Sequence, residues 1–156
     1  MPGPGIIRAV ADRGPALRVL GEEITVLASG AETGGYELFV QKGGPGMGPP
    51  PHAHDWDESF YILQGELDIG VGEAVAVCGP GALVHVPAGT IHWFRFRSEG
   101  EMLSVTSRLG ASLFFAEVDR ATGGANDVER TVAVAHGHGL TVHPPGELMM
   151  VATPAV

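Results

Sequence analysis

Hydrophobic and polar positions alternate with a period of two along much of the chain, the pattern of strands with one buried face. In the run that opens at Glu58, Phe60, Ile62 and Gln64 share one face, and Tyr61 and Leu63 the other. Leu67, Ile69 and Val71 alternate with Glu66, Asp68 and Gly70. His92, Phe94 and Phe96 alternate with Trp93, Arg95 and Arg97. Shorter apolar or β-branched runs predict further strands at Ile24 to Leu27, Tyr36 to Gln41, Ala74 to Cys78, Leu83 to Val86 and Met102 to Ser107. Turns are predicted at Gln64-Gly65-Glu66, Gly79-Pro80-Gly81 and Pro87-Ala88-Gly89. Lys42 to Pro51 holds four glycines and four prolines, which neither a helix nor a central strand tolerates. Residues 1–22 carry no clear period, and Ala28 to Gly35 reads as a loop.

Two stretches depart from the β pattern. Ser112 to Arg120 predicts a short helix. So does Asp127 to His136, with Val128, Val132 and Ala135 at helical spacing, an acidic start and Gly137 as its stop. Val142 to Pro145 predicts a closing extended segment, and the last residues are expected to fray. The expectation is a single all-β domain over residues 1–156, with a β core at about 24–107 and a helical appendage and tail at about 112–156.

Composition sharpens this picture. Gly (24) and Pro (12) are spread without a fixed period, which suits many short strands and excludes a collagen-like repeat. Nine Lys+Arg against 18 Asp+Glu give a formal charge of −9, so the chain lacks the basic footprint of a nucleic-acid or anionic-membrane binder. Cys78 is the single cysteine, which excludes an intrachain disulfide and a multi-cysteine zinc site. The apolar runs are too short to span a bilayer, and the first residues lack an apolar signal core. A cytoplasmic protein that binds neither nucleic acid nor membrane is expected.

The candidate chemistry lies between Gly46 and Glu58. His52 and His54 sit in a proline-rich context that excludes a helix, and on an extended chain an i, i+2 pair points to one face. Glu58 keeps the same parity and opens a strand whose even positions face the core. Two imidazoles and a carboxylate thus converge on a sheet interior, where unpaired ionisable groups are costly and a divalent cation would compensate them. His92 opens a strand on the face of Phe94 and Phe96, so it too is aimed inward.

These residues resemble a known family. Gly46, His52-x-His54, Glu58 and Gly65 stand at the spacing of the first cupin motif, and Gly81, Pro87-x-Gly89 and His92 at that of the second. Gly30 to Gly35, the triple proline before His52, Phe114-Phe115, and His138-Gly139-Leu140 before Pro144-Pro145 are similar to the quercetinase-like single-domain cupins, some of which are polyketide cyclases. The resemblance implies a double-stranded β-helix, a jelly-roll barrel. It implies one divalent transition metal (Fe, Mn, Ni, Co, Cu or Zn) bound by His52, His54, Glu58 and His92, and a homodimer paired through barrel edges. Phe96 departs from it, standing where the family pattern carries Asn, and makes that part of the interior more apolar.

Three imidazoles and a carboxylate leave open positions on a five- or six-coordinate ion, for dioxygen, water or an enolate oxygen. Glu58 is also the candidate general base. Trp56, Phe60, Trp93, Phe94 and Phe96 are the candidate pocket residues, with Tyr61 and Phe115 as further candidates, and they favour a flat aromatic small molecule. Asp55 and Asp57 read as solvated or as orienting the histidines. His85 reads as a satisfied barrel histidine or a supporting base, and His136, His138 and His143 read as non-functional. The leading expectation is a metal-dependent dioxygenase acting on an aromatic enol. The alternatives are a cyclase or isomerase without oxygen chemistry, and a non-catalytic metal or small-molecule binding module.

Overall fold

The alternating runs form strands β1 (Leu17–Val19), β2 (Glu22–Ala28), β3 (Glu37–Gly43), β4 (His52–Ala53), β5 (Glu58–Gln64), β6 (Leu67–Val71), β7 (Ala74–Cys78), β8 (Leu83–Val86), β9 (His92–Phe96), β10 (Gly100–Thr106) and β11 (Thr141–Val142). They come from a computed structural model that describes residues 3–144. Pro145 and the tail expected to fray lie outside the described residues. The strands pair antiparallel in two sheets, ordered β1-β2-β3-β10-β5-β8 and β11-β4-β9-β6-β7. Together they make the expected jelly-roll barrel.

Parity holds where the sequence alternates most cleanly. Glu58, Phe60 and Ile62 are buried while Tyr61 and Leu63 are exposed, and His92, Phe94 and Phe96 are buried while Arg95 is exposed. One buried cluster fills the barrel with Phe60, Ile62, Leu67, Ile69, Val86, Phe94, Phe96 and Met102. Each such side chain contributes about 1.5–3 kcal/mol when fully buried. Phe96 fits because two strands carry no side chain beside it: a Cβ on Gly43 or Gly100 would come within 2.5 Å or 2.8 Å of its ring.

A second cluster joins the opposite part of the barrel to the helices. Val19, Ile24, Phe39 and Trp56 pack with Ala111, Phe114, Val118, Ala135 and Leu140. Among the described residues three α-helices are present: a single turn α1 (Gly30–Thr33), α2 (Ala111–Thr122) and α3 (Val128–Gly137). Asp127 caps α3 by accepting a hydrogen bond from the Arg130 amide at 3.0 Å. The buried Glu37 carboxylate receives the amides of Gly30 (3.1 Å) and Ser112 (2.9 Å) and the Ser112 hydroxyl. It holds the first turn of α2, where free amides and the helix dipole favour an anion. The Arg18 amide donates to Asp119 Oδ1 at 2.9 Å, tying β1 to the same helix.

Three features differ from the sequence expectation. Residues 1–22 contain a strand, β1, too short to show a period. The loop at Ala28 to Gly35 contains α1, closed by a capping box between Ser29 and Glu32. The stop of α3 lies just past Gly137, with Gly139 in the left-handed region at φ +78°. Among the described residues no helix is long and apolar enough to cross a membrane.

Candidate metal centre and its cavity

The proline-rich segment delivers His52 to a sheet. Gly48 makes this possible: its φ is +144°, and a Cβ there would meet the Phe94 carbonyl oxygen at 2.1 Å. The segment therefore lies flat against β9. His52 on β4 then pairs directly opposite His92 on β9, with ring centroids 4.2 Å apart. The chain leaves the strand after Ala53, and the Gly89 amide fixes the His54 carbonyl at 2.7 Å. His54 stacks on Trp56, with rings 4.3 Å apart and 10° from parallel.

All three imidazoles are held the same way. Nδ1 of His52, His54 and His92 lies 2.9 Å from the carbonyl of Pro50, Trp56 and Thr90 respectively. A carbonyl only accepts, so each Nδ1–H donates and each Nε2 is left facing inward. The three ligand atoms lie within 4.8 Å of one another. His92 is 1% exposed, and its Nε2 is buried without a hydrogen-bond partner. Glu58 Oε2 lies 2.9 Å from Nε2 of His54 and 3.5 Å from Nε2 of His92.

This donor set fits a divalent metal. Burial and the neighbouring His92 push the His52 imidazole down to about 3, so it is neutral at pH 7. Burial alone would raise the Glu58 carboxyl. The adjacent His54 and His92 rings outweigh burial and hold it at about 2. The three imidazoles could hold a metal ion, with the Glu58 carboxylate beside two of them.

The centre opens on a cavity offering about 80 Å³ to the centres of water-sized molecules, several times what one water needs. His52, His54 and Glu58 share its wall with Trp56, Phe94, Phe114 and Phe115, and α2 and α3 roof it. No lysine or arginine is among its lining residues.

Known proteins share this fold. A family model described as "Cupin domain" matches residues 39–106, the stretch that carries all four candidate ligands. The chain matches a cupin domain over that stretch and has the cupin fold. It is 31% identical over 98 residues to a quercetin 2,3-dioxygenase of Bacillus subtilis (strain 168), a match covering 60% of this chain and 29% of that protein. The chain thus spans about a third of that relative's length. An RmlC-like cupin from Shewanella frigidimarina superposes with a TM-score of 0.64 at 16% identity, covering 72% of this chain and 99% of that one. The polyketide cyclase RemF from Streptomyces resistomycificus gives a TM-score of 0.54 at 20% identity, covering 65% and 80%. At these identities the solved structures speak for the fold.

Within the cupin barrel the aromatic residues separate. Trp56, Phe94 and Phe115 line the cavity. Phe60 and Phe96, each 1% exposed, sit in the barrel core instead of lining it. Trp93 has the opposite parity to His92 and packs over Gly70, away from the cavity, and Tyr61 is exposed. Asp55 and Asp57 do not orient the histidines. Asp55 pairs with Arg108 at 3.1 Å, and Asp57 accepts from the Ala88 amide at 2.9 Å. His85 is exposed and meets Ser59 at 3.0 Å. His138 pairs with Glu117 on α2 at 2.6 Å. The remaining two, His136 and His143, lie outside the three-histidine group.

Polar cavity residues on the barrel side escaped the sequence reading. Glu22 and Gln41 both line the wall and are buried, at 3% and 4% exposure. Glu22 shares parity with the core residue Ile24, a signal hidden by the short, aperiodic strand before it.

Proposed function

We propose that this cupin is a metal-dependent dioxygenase of the quercetinase type, acting on an aromatic enol or a related small molecule. The supporting observation is the convergence of three Nδ1-anchored imidazoles, two of them on the Glu58 carboxylate, at the wall of an apolar cavity. His52, His54, Glu58 and His92 would hold one divalent transition metal. When bound, such an ion supplies Lewis acidity toward an enol oxygen and, if redox-active, electron transfer to dioxygen. Glu58 is a carboxylate at neutral pH and accepts the enol proton at a carboxylate oxygen. Trp56, Phe94 and Phe115 hold a flat ring. The roof of α2 and α3 keeps bulk water from the reacting carbon. The relative named as a quercetin dioxygenase supports the same direction.

A second reading is a cyclase or isomerase using the same ligands without oxygen. The apolar wall formed by Phe114, Phe115, Val128 and Val132 would suit a folded polyketide-like chain. The deciding experiment loads the protein with single transition metals and follows oxygen uptake with a flavonol. Flavonol loss matched by oxygen uptake supports the dioxygenase, and turnover without uptake supports the cyclase or isomerase. Binding without turnover leaves a non-catalytic binding module. We also infer a homodimer, since the edge strand β7 presents Val75 and Val77 more than half exposed.

A further inference from the structure

The cavity wall holds a carboxyl that the candidate metal ligands do not use. Glu22 opens β2 on the inward face shared with Ile24, and Ile24 stands opposite Gln41 on β3. Val19 is its cross-strand neighbour on β1. Glu22 is 3% exposed, and its Oε2 has no hydrogen-bond partner.

Two other polar residues of the wall already have partners. Gln41 donates its amide to Ser104 Oγ at 2.8 Å, and Thr131 donates its hydroxyl to the Asp127 carbonyl at 2.7 Å. Burial, reinforced by the charge on Glu58, pushes the Glu22 carboxyl well above its ordinary range. A neutral acid offers one O–H donor and one carbonyl acceptor to whatever enters. An unpaired group of this kind costs stability, and a polar atom of a bound molecule would offset that cost.

We propose that Glu22 is a specificity-determining residue of the cavity, pairing with a second oxygen on the substrate. The substrate class is then an aromatic enol or phenol with a further hydroxyl or carbonyl group besides the oxygen directed at the histidines. This rests on the reading of the cavity as the substrate site.

The test uses the full chain loaded with zinc, which is redox-inert, and reads binding by titration calorimetry. Quercetin and 3-hydroxyflavone share the 3-hydroxy-4-keto unit, but only quercetin carries further hydroxyls on both outer ring systems. The native protein is expected to prefer quercetin by about tenfold. Glu22→Leu is expected to abolish that preference while 3-hydroxyflavone binds as before, and Glu22→Gln, which still hydrogen-bonds, to keep most of it. Equal affinities in the native protein, or an unchanged preference in Glu22→Leu, would overturn the proposal and leave the dioxygenase reading intact. If neither flavonol binds the zinc-loaded native protein, the substrate-site reading fails and this inference with it. Glu22→Leu is also expected to raise the Tm of the ligand-free protein. A lowered Tm with equal weakening of both ligands would show a purely structural role.

Discussion

Glu58 Oε2 lies 2.9 Å from Nε2 of His54. The ring is already fixed at Nδ1 by the Trp56 carbonyl, and His92 Nε2 reaches the same carboxylate at 3.5 Å. One buried anion therefore holds together two imidazoles from separate segments of the chain, His54 beyond β4 and His92 on β9. Removing its charge while keeping its shape isolates that contribution. Glu58→Gln is expected to fold and to bind a divalent transition metal about 10–100-fold more weakly than the native protein, read by competition with a chromophoric chelator.

Acid should destabilise the metal-free protein in two stages. His52 is held near 3 when folded against a usual 6.5, so between these values the unfolded chain binds more protons and stability falls as pH drops. Glu58 is held near 2 against 4.5, so it adds a loss of the same sign below 4.5. Tm measured in chelator is expected to fall from pH 6.5 downward and more steeply below 4.5. A Tm flat across that range would contradict the burial of these groups.

The cavity roof depends on Glu37. Its carboxylate takes up the Gly30 and Ser112 amides at 3.1 Å and 2.9 Å, so one side chain of β3 anchors the first turns of two helices. Glu37→Ala leaves those donors unpaired and is expected to cost about 2 kcal/mol in urea denaturation. It is also expected to speed amide exchange selectively in α2. Uniform loss of protection across the barrel would assign Glu37 to the core rather than to the roof.

The exposed edge carries a separate prediction. The chain is expected to run as a dimer by light scattering, and Val75→Lys with Val77→Lys, both on β7, to give monomers. The reverse outcome, a monomeric native protein, would remove the pairing while leaving the metal centre untouched.

The grouping of the candidate ligands was readable in the sequence because its geometry follows from local parity. His92, Phe94 and Phe96 share a face through strand alternation alone. His52 and His54 share theirs less simply: β4 ends at Ala53, and His54 is held beyond it by the Gly89 amide and by its stack on Trp56. The cavity was hard to read for the opposite reason. Its roof comes from Phe114, Phe115, Val128 and Thr131, whose approach to the barrel depends on long-range contacts such as Arg18 with Asp119. Alternation also separates Trp93 from Phe94, and an aromatic grouping by type alone ignored that distinction. Glu22 was obscured because a three-residue strand gives too few positions to show a period.

Metal content tests the central claim most directly. The native protein, stripped and then titrated with zinc, cobalt or nickel, is expected to take up one ion per chain and to gain Tm on loading. X-ray absorption is expected to show three imidazole nitrogens with at least one carboxylate oxygen, and His92→Ala to fold but lose the bound ion. A folded native protein that binds none of these ions, or His92→Ala that binds them as tightly as the native chain, would contradict the account.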